Sequence, residues 1–238
     1  MKKKILIVKN ITHEGPGLLE NVLFEYGIAS NCVELAAGAV MPDPINYSAL
    51  VILGGPQSAN DETPVMQHQL KQIERALHAE IPYLGICLGM QILVKAGGGK
   101  VKKCTVKEIG FLDMEGHPYR IELTDAGKTD PLFHGLETSL EVFQLHGETV
   151  ELGSSGMELL ARGQDCTNQA VKVGKNAYGL QCHFELTNTM FSEWFGIDTD
   201  LKLMDRITLM EQFEAIRNHY SSTGLILMNN FLRIAGLL

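Results

Sequence analysis

The nine residues Tyr83-Leu84-Gly85-Ile86-Cys87-Leu88-Gly89-Met90-Gln91 constrain the fold of this chain more than any other stretch. A short apolar strand over residues 81–86 runs into Gly-x-Cys-x-Gly, and a helix-forming run over residues 90–96 follows at once. This is the layout of a nucleophile elbow with cysteine in the place of serine. The turn is so sharp that a Cβ at either flanking glycine would collide with the neighbouring strand or helix. Cys87 stands at the N-terminal end of the following helix, where unpaired backbone N–H groups and the helix dipole favour a thiolate. A buried structural cysteine in an ordinary strand-to-helix turn fits the same five residues, so a catalytic Cys87 needs support from elsewhere in the chain.

The surrounding pattern supplies the frame. Residues 5–8 form a continuous apolar run, and a helix over 17–26 follows a Gly-Pro-Gly turn. Residues 31–35 and 49–53 read as strands, the second ending in Gly54-Gly55-Pro56. Residues 64–79 carry helical apolar spacing at Val65, Leu70, Ile73, Ala76 and Leu77, opened by a proline. Strand and helix alternate, which predicts a parallel sheet covered on both faces. Ligands bind such sheets beyond the carboxyl ends of the strands, where both the Gly54-Gly55 loop and the Cys87 turn fall.

From residue 101 to 181 the chain becomes a series of short strands (101–105, 119–123, 140–145, 159–163, 169–173, 177–181) with glycine-rich turns such as Leu152-Gly153-Ser154-Ser155-Gly156. This is an antiparallel extension of the same domain. Beyond His183 three helices are expected, over 188–195, 201–220 and 224–234. With no repeat or linker, residues 1–238 read as a single domain carrying a helical insertion or extension at about 187–222, and the 238-residue length suits that reading.

Composition narrows the function classes. A net charge of −8 and a pI near 5.5 argue against a general nucleic-acid surface. The five cysteines (Cys32, Cys87, Cys104, Cys166, Cys182) are scattered and odd in number, so reduced thiols in a cytoplasmic protein are expected in place of a disulfide framework. No histidine and cysteine set has metal-ligand spacing, so no metal is expected. Ala96-Gly97-Gly98-Gly99-Lys100 follows a helix and lacks the phosphate-loop pattern, so it reads as a helix end. The apolar run after Met1-Lys2-Lys3-Lys4 stops at Lys9, too short for a signal peptide, and no stretch reaches the length of a membrane span.

A cysteine nucleophile needs a base within reach and an orienting partner for that base. Of eight histidines, His183 stands out because it ends the strand at 177–181 and precedes Glu185 by two residues. If the strand continues through Glu185, both side chains share one face, and the carboxylate can fix the imidazole tautomer. Three features in order then stand out: Gly54-Gly55-Pro56-Gln57-Ser58, Gly85-Ile86-Cys87-Leu88-Gly89-Met90-Gln91, and Gln181-Cys182-His183-Phe184-Glu185. With these motifs the chain resembles the class I (triad-type) glutamine amidotransferases over about residues 1–186. Its look is nearest the amidotransferase module of GMP synthase and its free-standing relatives.

The resemblance implies a flavodoxin-like α/β three-layer sandwich with a mainly parallel sheet, an antiparallel extension and C-terminal helices. It implies Cys87 as the nucleophile that forms a γ-glutamyl thioester, His183 as the base and Glu185 as its orienter. It places the oxyanion hole at the backbone N–H groups of Gly55 and Leu88, and substrate contacts at Gly54, Gln91, Gln144, Leu145 and His146. It implies no cofactor, glutamine as the small-molecule substrate, and a separate synthase subunit as the ammonia acceptor if there is one; neither nucleic acid nor membrane is expected as a partner. Phe184 departs from the usual His-Pro-Glu, and His134 and Glu148 read as structural. The same triad also suits a γ-glutamyl peptidase or hydrolase, and a catalytically idle regulatory subunit is a further alternative. The apolar residues of the last helices read as packing faces, with a cover for the active site or a partner contact as the other readings of part of the 187–222 segment.

Overall fold

The computed structural model describes residues 4–153 and 156–238; Met1 to Lys3 and the Ser154-Ser155 pair of the 152–156 turn lie outside them. In chain order the elements are β1 (Ile5–Lys9), α1 (Leu18–Glu25), β2 (Ser30–Glu34), β3 (Ala49–Ile52), α2 (Pro64–His78), β4 (Tyr83–Ile86) and α3 (Leu88–Ala96). There follow β5 (Lys100–Gly110), β6 (Arg120–Leu123), α4 (Asp125–Thr129), β7 (Ser139–Glu141), β8 (Gln144–Glu151), β9 (Met157–Arg162), β10 (Ala170–Val173) and β11 (Ala177–Leu180). The helices α5 (Asn188–Ile197) and α6 (Arg206–Ile234) end the chain.

The main sheet has the order β2-β1-β3-β4-β11-β10-β9-β6-β7. Its first five strands are parallel, and the rest extend the sheet in antiparallel fashion. β4 and β11 lie at the centre, side by side and in register from Tyr83 opposite Ala177 to Ile86 opposite Leu180. The residues after both strands, Cys87 and His183, therefore leave the sheet at the same edge.

Strand alternation divides the core into two layers. Ile5, Ile7, Val51, Leu84 and Ile86 face α1 and the second half of α6, while Leu6, Val8, Leu50, Ile52 and Tyr83 face α2 and α3. Continuous apolar runs in β1, β3 and β4 follow from this burial on both sides. A third cluster, aromatic and separate, packs Phe111, Phe143, Phe191, Trp194, Phe213 and Tyr220 together.

Two expectations need correction. The strand expected over 140–145 is two strands: β7 closes the main sheet, and β8 pairs with the long β5 as a separate ribbon. Between them the fully buried Phe143 dives into the aromatic cluster. The helices expected over 201–220 and 224–234 are one helix, α6, preceded by a single helical turn at Leu201–Leu203. Gly224, expected as the start of a separate helix, lies within α6, where its missing side chain lets the helix lie against the carbonyl of Phe184. Among the described residues no helix is long and apolar enough to cross a membrane.

At Gly224 two effects compete. Alanine gains about 1 kcal/mol of helix propensity. Its Cβ, however, overlaps the Phe184 carbonyl oxygen and sits 2.7 Å from Leu18 Cδ1. Overpacking of this kind costs about 1–3 kcal/mol, more when backbone must move. Gly224→Ala is expected to lower the urea midpoint; a raised midpoint would mean that α6 does not touch Phe184.

Candidate functional site

Cys87 joins β4 to α3 with φ 51° and ψ −108°, one of two non-glycine residues with positive φ among those described. Such a conformation costs about 1–3 kcal/mol and persists only where surroundings over-determine it. Here they do. The Cys87 amide donates to Leu180 O (2.7 Å), and Tyr83 Oη donates to Gly89 O (2.7 Å). A Cβ at Gly85 would strike the Gly89 carbonyl group, and one at Gly89 would strike Ile52 O. The Leu88 amide opens α3, at a position where a helix offers no internal acceptor.

β11 ends at Leu180, so His183 and Glu185 are not on a continuing strand as the spacing argument assumed. His183 is instead held by an isolated bridge to Phe143, its N–H donating to Phe143 O (2.9 Å), and its own carbonyl accepts from Tyr220 Oη (2.9 Å). The two side chains still meet, His183 Nδ1 lying 2.6 Å from Glu185 Oε1 with both buried. Glu185 Oε2 accepts from the Phe184 amide (3.0 Å). Proline at 184 has no N–H to give. The departure from His-Pro-Glu thus supplies a second bond that fixes the carboxylate.

Burial alone lowers the His183 pKa. The charge of Glu185 and the hydrogen bonds with Cys87 and Glu185 outweigh it and hold the imidazole well above its ordinary value. Trp194 of α5 sets its ring edge against His183, with centroids 5.1 Å apart and planes at 80°. The Cys87 thiol lies 3.7 Å from Leu145 O and receives Gln181 Nε2 at 3.6 Å.

These groups open on a cleft of about 400 Å³ at the carboxyl ends of β1, β3 and β4. Cys87, His183, Gly55, Gln91, Leu145 and His146 line it. Gln91 Nε2 donates to Gln181 Oε1 (3.3 Å) and Glu148 O (3.1 Å), so Gln91, Gln181 and Cys87 form one chain of contacts. Gly54 and Gln144 do not line the cleft. The carboxylate of Glu14 occupies the space where a Cβ at Gly54 would stand, and Gln144 is buried in β8 opposite Gly110. Glu148, read from sequence as structural, lines the cleft and accepts from Ser58 Oγ (2.8 Å). Residues 197–200, the end of α5 and the turn after it, form part of the wall, so part of the 187–222 segment borders the cleft.

Glu14 is a cleft residue that the sequence reading missed. Its signal was present: it lies in the loop beyond the carboxyl end of a parallel strand, where ligands of such sheets gather. Although the residue as a whole is half-buried, its carboxyl group is walled in, and burial pushes its pKa up to about 7. The positive charge of His183 pulls against this, and Glu185 adds to it.

The description "Glutamine amidotransferase class-I" matches residues 17–195. A glutamine amidotransferase-like protein of Salmonella typhimurium is 34% identical over 157 residues, 64% of this chain and 62% of that protein. A GMP synthase of Thermosipho melanesiensis is 32% identical over 149 residues, 62% of this chain and 26% of the synthase. The chain therefore spans under two thirds of each of these relatives. Among solved structures, a glutamine amidotransferase of Thermotoga maritima superimposes with a TM-score of 0.85 at 27% identity, covering 99% of both chains. One from Methylobacillus flagellatus gives 0.86 at 24% identity, over 98% of this chain and 96% of its own.

The displaced pKa of Glu14 has a signed consequence for stability. Between the ordinary value of 4.5 and about 7 the folded state holds a proton that the unfolded state has released. Stability therefore falls as pH rises through that window and levels above it. Glu14→Gln removes the penalty. Its advantage over the parent in denaturant unfolding is expected to be absent near pH 4 and fully developed above pH 7; an advantage constant with pH would contradict the assignment.

Proposed function

Because the chain belongs to the class I glutamine amidotransferase family, we propose that it hydrolyses the γ-amide of glutamine through a thioester on Cys87. The observation that carries this reading is the buried His183–Glu185 pair, 2.6 Å apart, beside a cysteine held at positive φ on a helix N-terminus. In this mechanism His183 takes the thiol proton, and the sulfur attacks the γ-carboxamide carbon. The oxyanion of the tetrahedral intermediate is held by the backbone N–H groups of Gly55 and Leu88. A Cβ at Gly55 would sit 2.5 Å from Gln57 Oε1 and 2.7 Å from Asn10 Cβ, which supports a backbone role for that loop. His183 then protonates the departing nitrogen, ammonia leaves, and a water activated by His183 cleaves the thioester.

Glu185 holds the imidazole with Nδ1 turned toward its carboxylate, leaving Nε2 for the sulfur. Gln91 and the backbone of residues 144–146 are assigned to the amino-acid end of glutamine, where Leu145 and His146 border the cleft. Residues 1–238 act as one domain in this reading, with 187–222 as a helical extension at the cleft wall. The relatives named GMP synthase suggest delivery of the ammonia to a synthase on another protein.

Steady-state ammonia release tests the proposal. Cys87→Ala is expected to lower kcat by at least about 10⁴-fold and His183→Ala by nearly as much. Glu185→Gln is expected to leave roughly a hundredfold more activity than either, since an orienting group contributes less than a nucleophile. Equal and mild losses in all three would contradict the triad. Turnover of γ-glutamyl peptides with none of glutamine would move the chain to the γ-glutamyl hydrolases.

A further inference from the structure

Behind the cleft wall lies a cluster that the triad does not use. Cys104 of β5, His146 of β8 and Cys166 of the β9–β10 loop bring one donor atom each within 4.8 Å of one another. His146 and Cys166 are buried and Cys104 is half-buried. Chain spacing hid this set, because 42 residues separate Cys104 from His146. Antiparallel pairing of β5 with β8 is what brings the two together.

We propose that Cys104, His146 and Cys166 form a binding site for one zinc ion. Three observations argue for it, and none depends on the activity proposed above.

The first is spacing. With bonds of about 2.3 Å to sulfur and about 2.0–2.1 Å to nitrogen, tetrahedral zinc sets a sulfur and a nitrogen roughly 3.5 Å apart. Cys104 Sγ lies 3.6 Å from His146 Nδ1. The second is the outer shell. His146 Nε2 is committed to Glu108 Oε2 at 2.8 Å, which selects the tautomer that can present a lone pair at Nδ1. Glu108 also receives the Cys166 amide at Oε1 (3.1 Å) and Gln169 Nε2 at Oε2 (2.8 Å), so one carboxylate positions two of the three donors. The third is charge. Two thiolates balance a divalent cation, so the loaded cluster adds no net charge to a largely buried site.

Imidazole with two thiolates is a soft to borderline donor set, suited to zinc and unsuited to magnesium or calcium. Binding has a proton cost. Each thiol gives up its proton, and the nitrogen that also faces Glu148 O at 3.1 Å gives up any proton it shares with that carbonyl. Cys166 Sγ likewise exchanges its contact with Thr149 Oγ1 (2.9 Å) for the metal. The ion would tie β5, β8 and the β9–β10 loop together directly behind Leu145 and His146, which border the cleft.

The test uses the full chain, fully reduced, with Cys87→Ala as background so that the nucleophile cannot bind metal. Zinc is titrated in competition with a chromogenic chelator, and bound metal is counted by mass spectrometry. The expected result is one zinc per chain, with Co²⁺ in its place giving thiolate-to-metal charge-transfer absorption. Zinc should protect Cys104 and Cys166 from alkylation, while the exposed Cys32 stays reactive. Cys104→Ser and Cys166→Ser should each abolish the cobalt signature, and Glu108→Gln should weaken zinc binding by about 10–100-fold. The alkylation arm needs no variant beyond that Cys87→Ala background and can be repeated on the unsubstituted chain. Substoichiometric zinc, alkylation unchanged by zinc, or a Cys104–Cys166 disulfide in place of metal binding would each overturn the proposal.

Discussion

The contact between Gly89 and the Ile52 carbonyl sets the position of the Cys87 thiol, around which the rest of the cleft is arranged. Only a residue without a side chain lets the first turn of α3 sit on the end of β3. With α3 seated there, the link from β4 has one residue in which to reverse, and Cys87 takes the positive φ that this demands. The bonds from Cys87 N to Leu180 O and from Tyr83 Oη to Gly89 O hold the strain in place. The sheet thus stabilises locally unfavourable backbone so that a thiol projects from its edge.

The imidazole of His183 is positioned by different means. Its strand has already ended, and the 181–187 segment is fixed from three sides. Phe143 O accepts from the His183 amide, Tyr220 Oη donates to the His183 carbonyl, and Gly224 lets α6 press on Phe184. Phe143 and Tyr220 belong to the aromatic cluster built largely on α5 and the first half of α6. That cluster does more than fill space, because Trp194 closes on the His183 ring. The same helical segment therefore supports the His183 ring and contributes residues 197–200 to the cleft wall.

Local signals made the parallel half of the fold and the elbow legible in the sequence. Apolar runs marked β1, β3 and β4, glycines marked the turns, and the i, i+2 spacing placed Glu185 near His183. Features that depend on distant backbone were not legible. Gly224 reads as the start of a separate helix until Phe184 is seen against it. Phe143 reads as mid-strand until the chain is seen to change sheets there. Glu14 is a charged loop residue until folding sets its carboxylate over Gly54, and Cys104, His146 and Cys166 converge only through the β5–β8 register. The strand premise behind the His183–Glu185 pairing was wrong although the pair forms, because an anchored extended segment brings the two side chains together as well as a strand would.

In the proposed reaction the cysteine at the elbow forms a covalent bond to the γ-carbonyl carbon of glutamine. Mixing the chain with glutamine, quenching in acid within the first turnovers and mapping the peptides by mass spectrometry tests this most directly. A γ-glutamyl adduct is expected on the peptide containing Cys87 and is lost in Cys87→Ala. Glutamine turnover with no adduct at Cys87, or with the adduct on another cysteine, would contradict it.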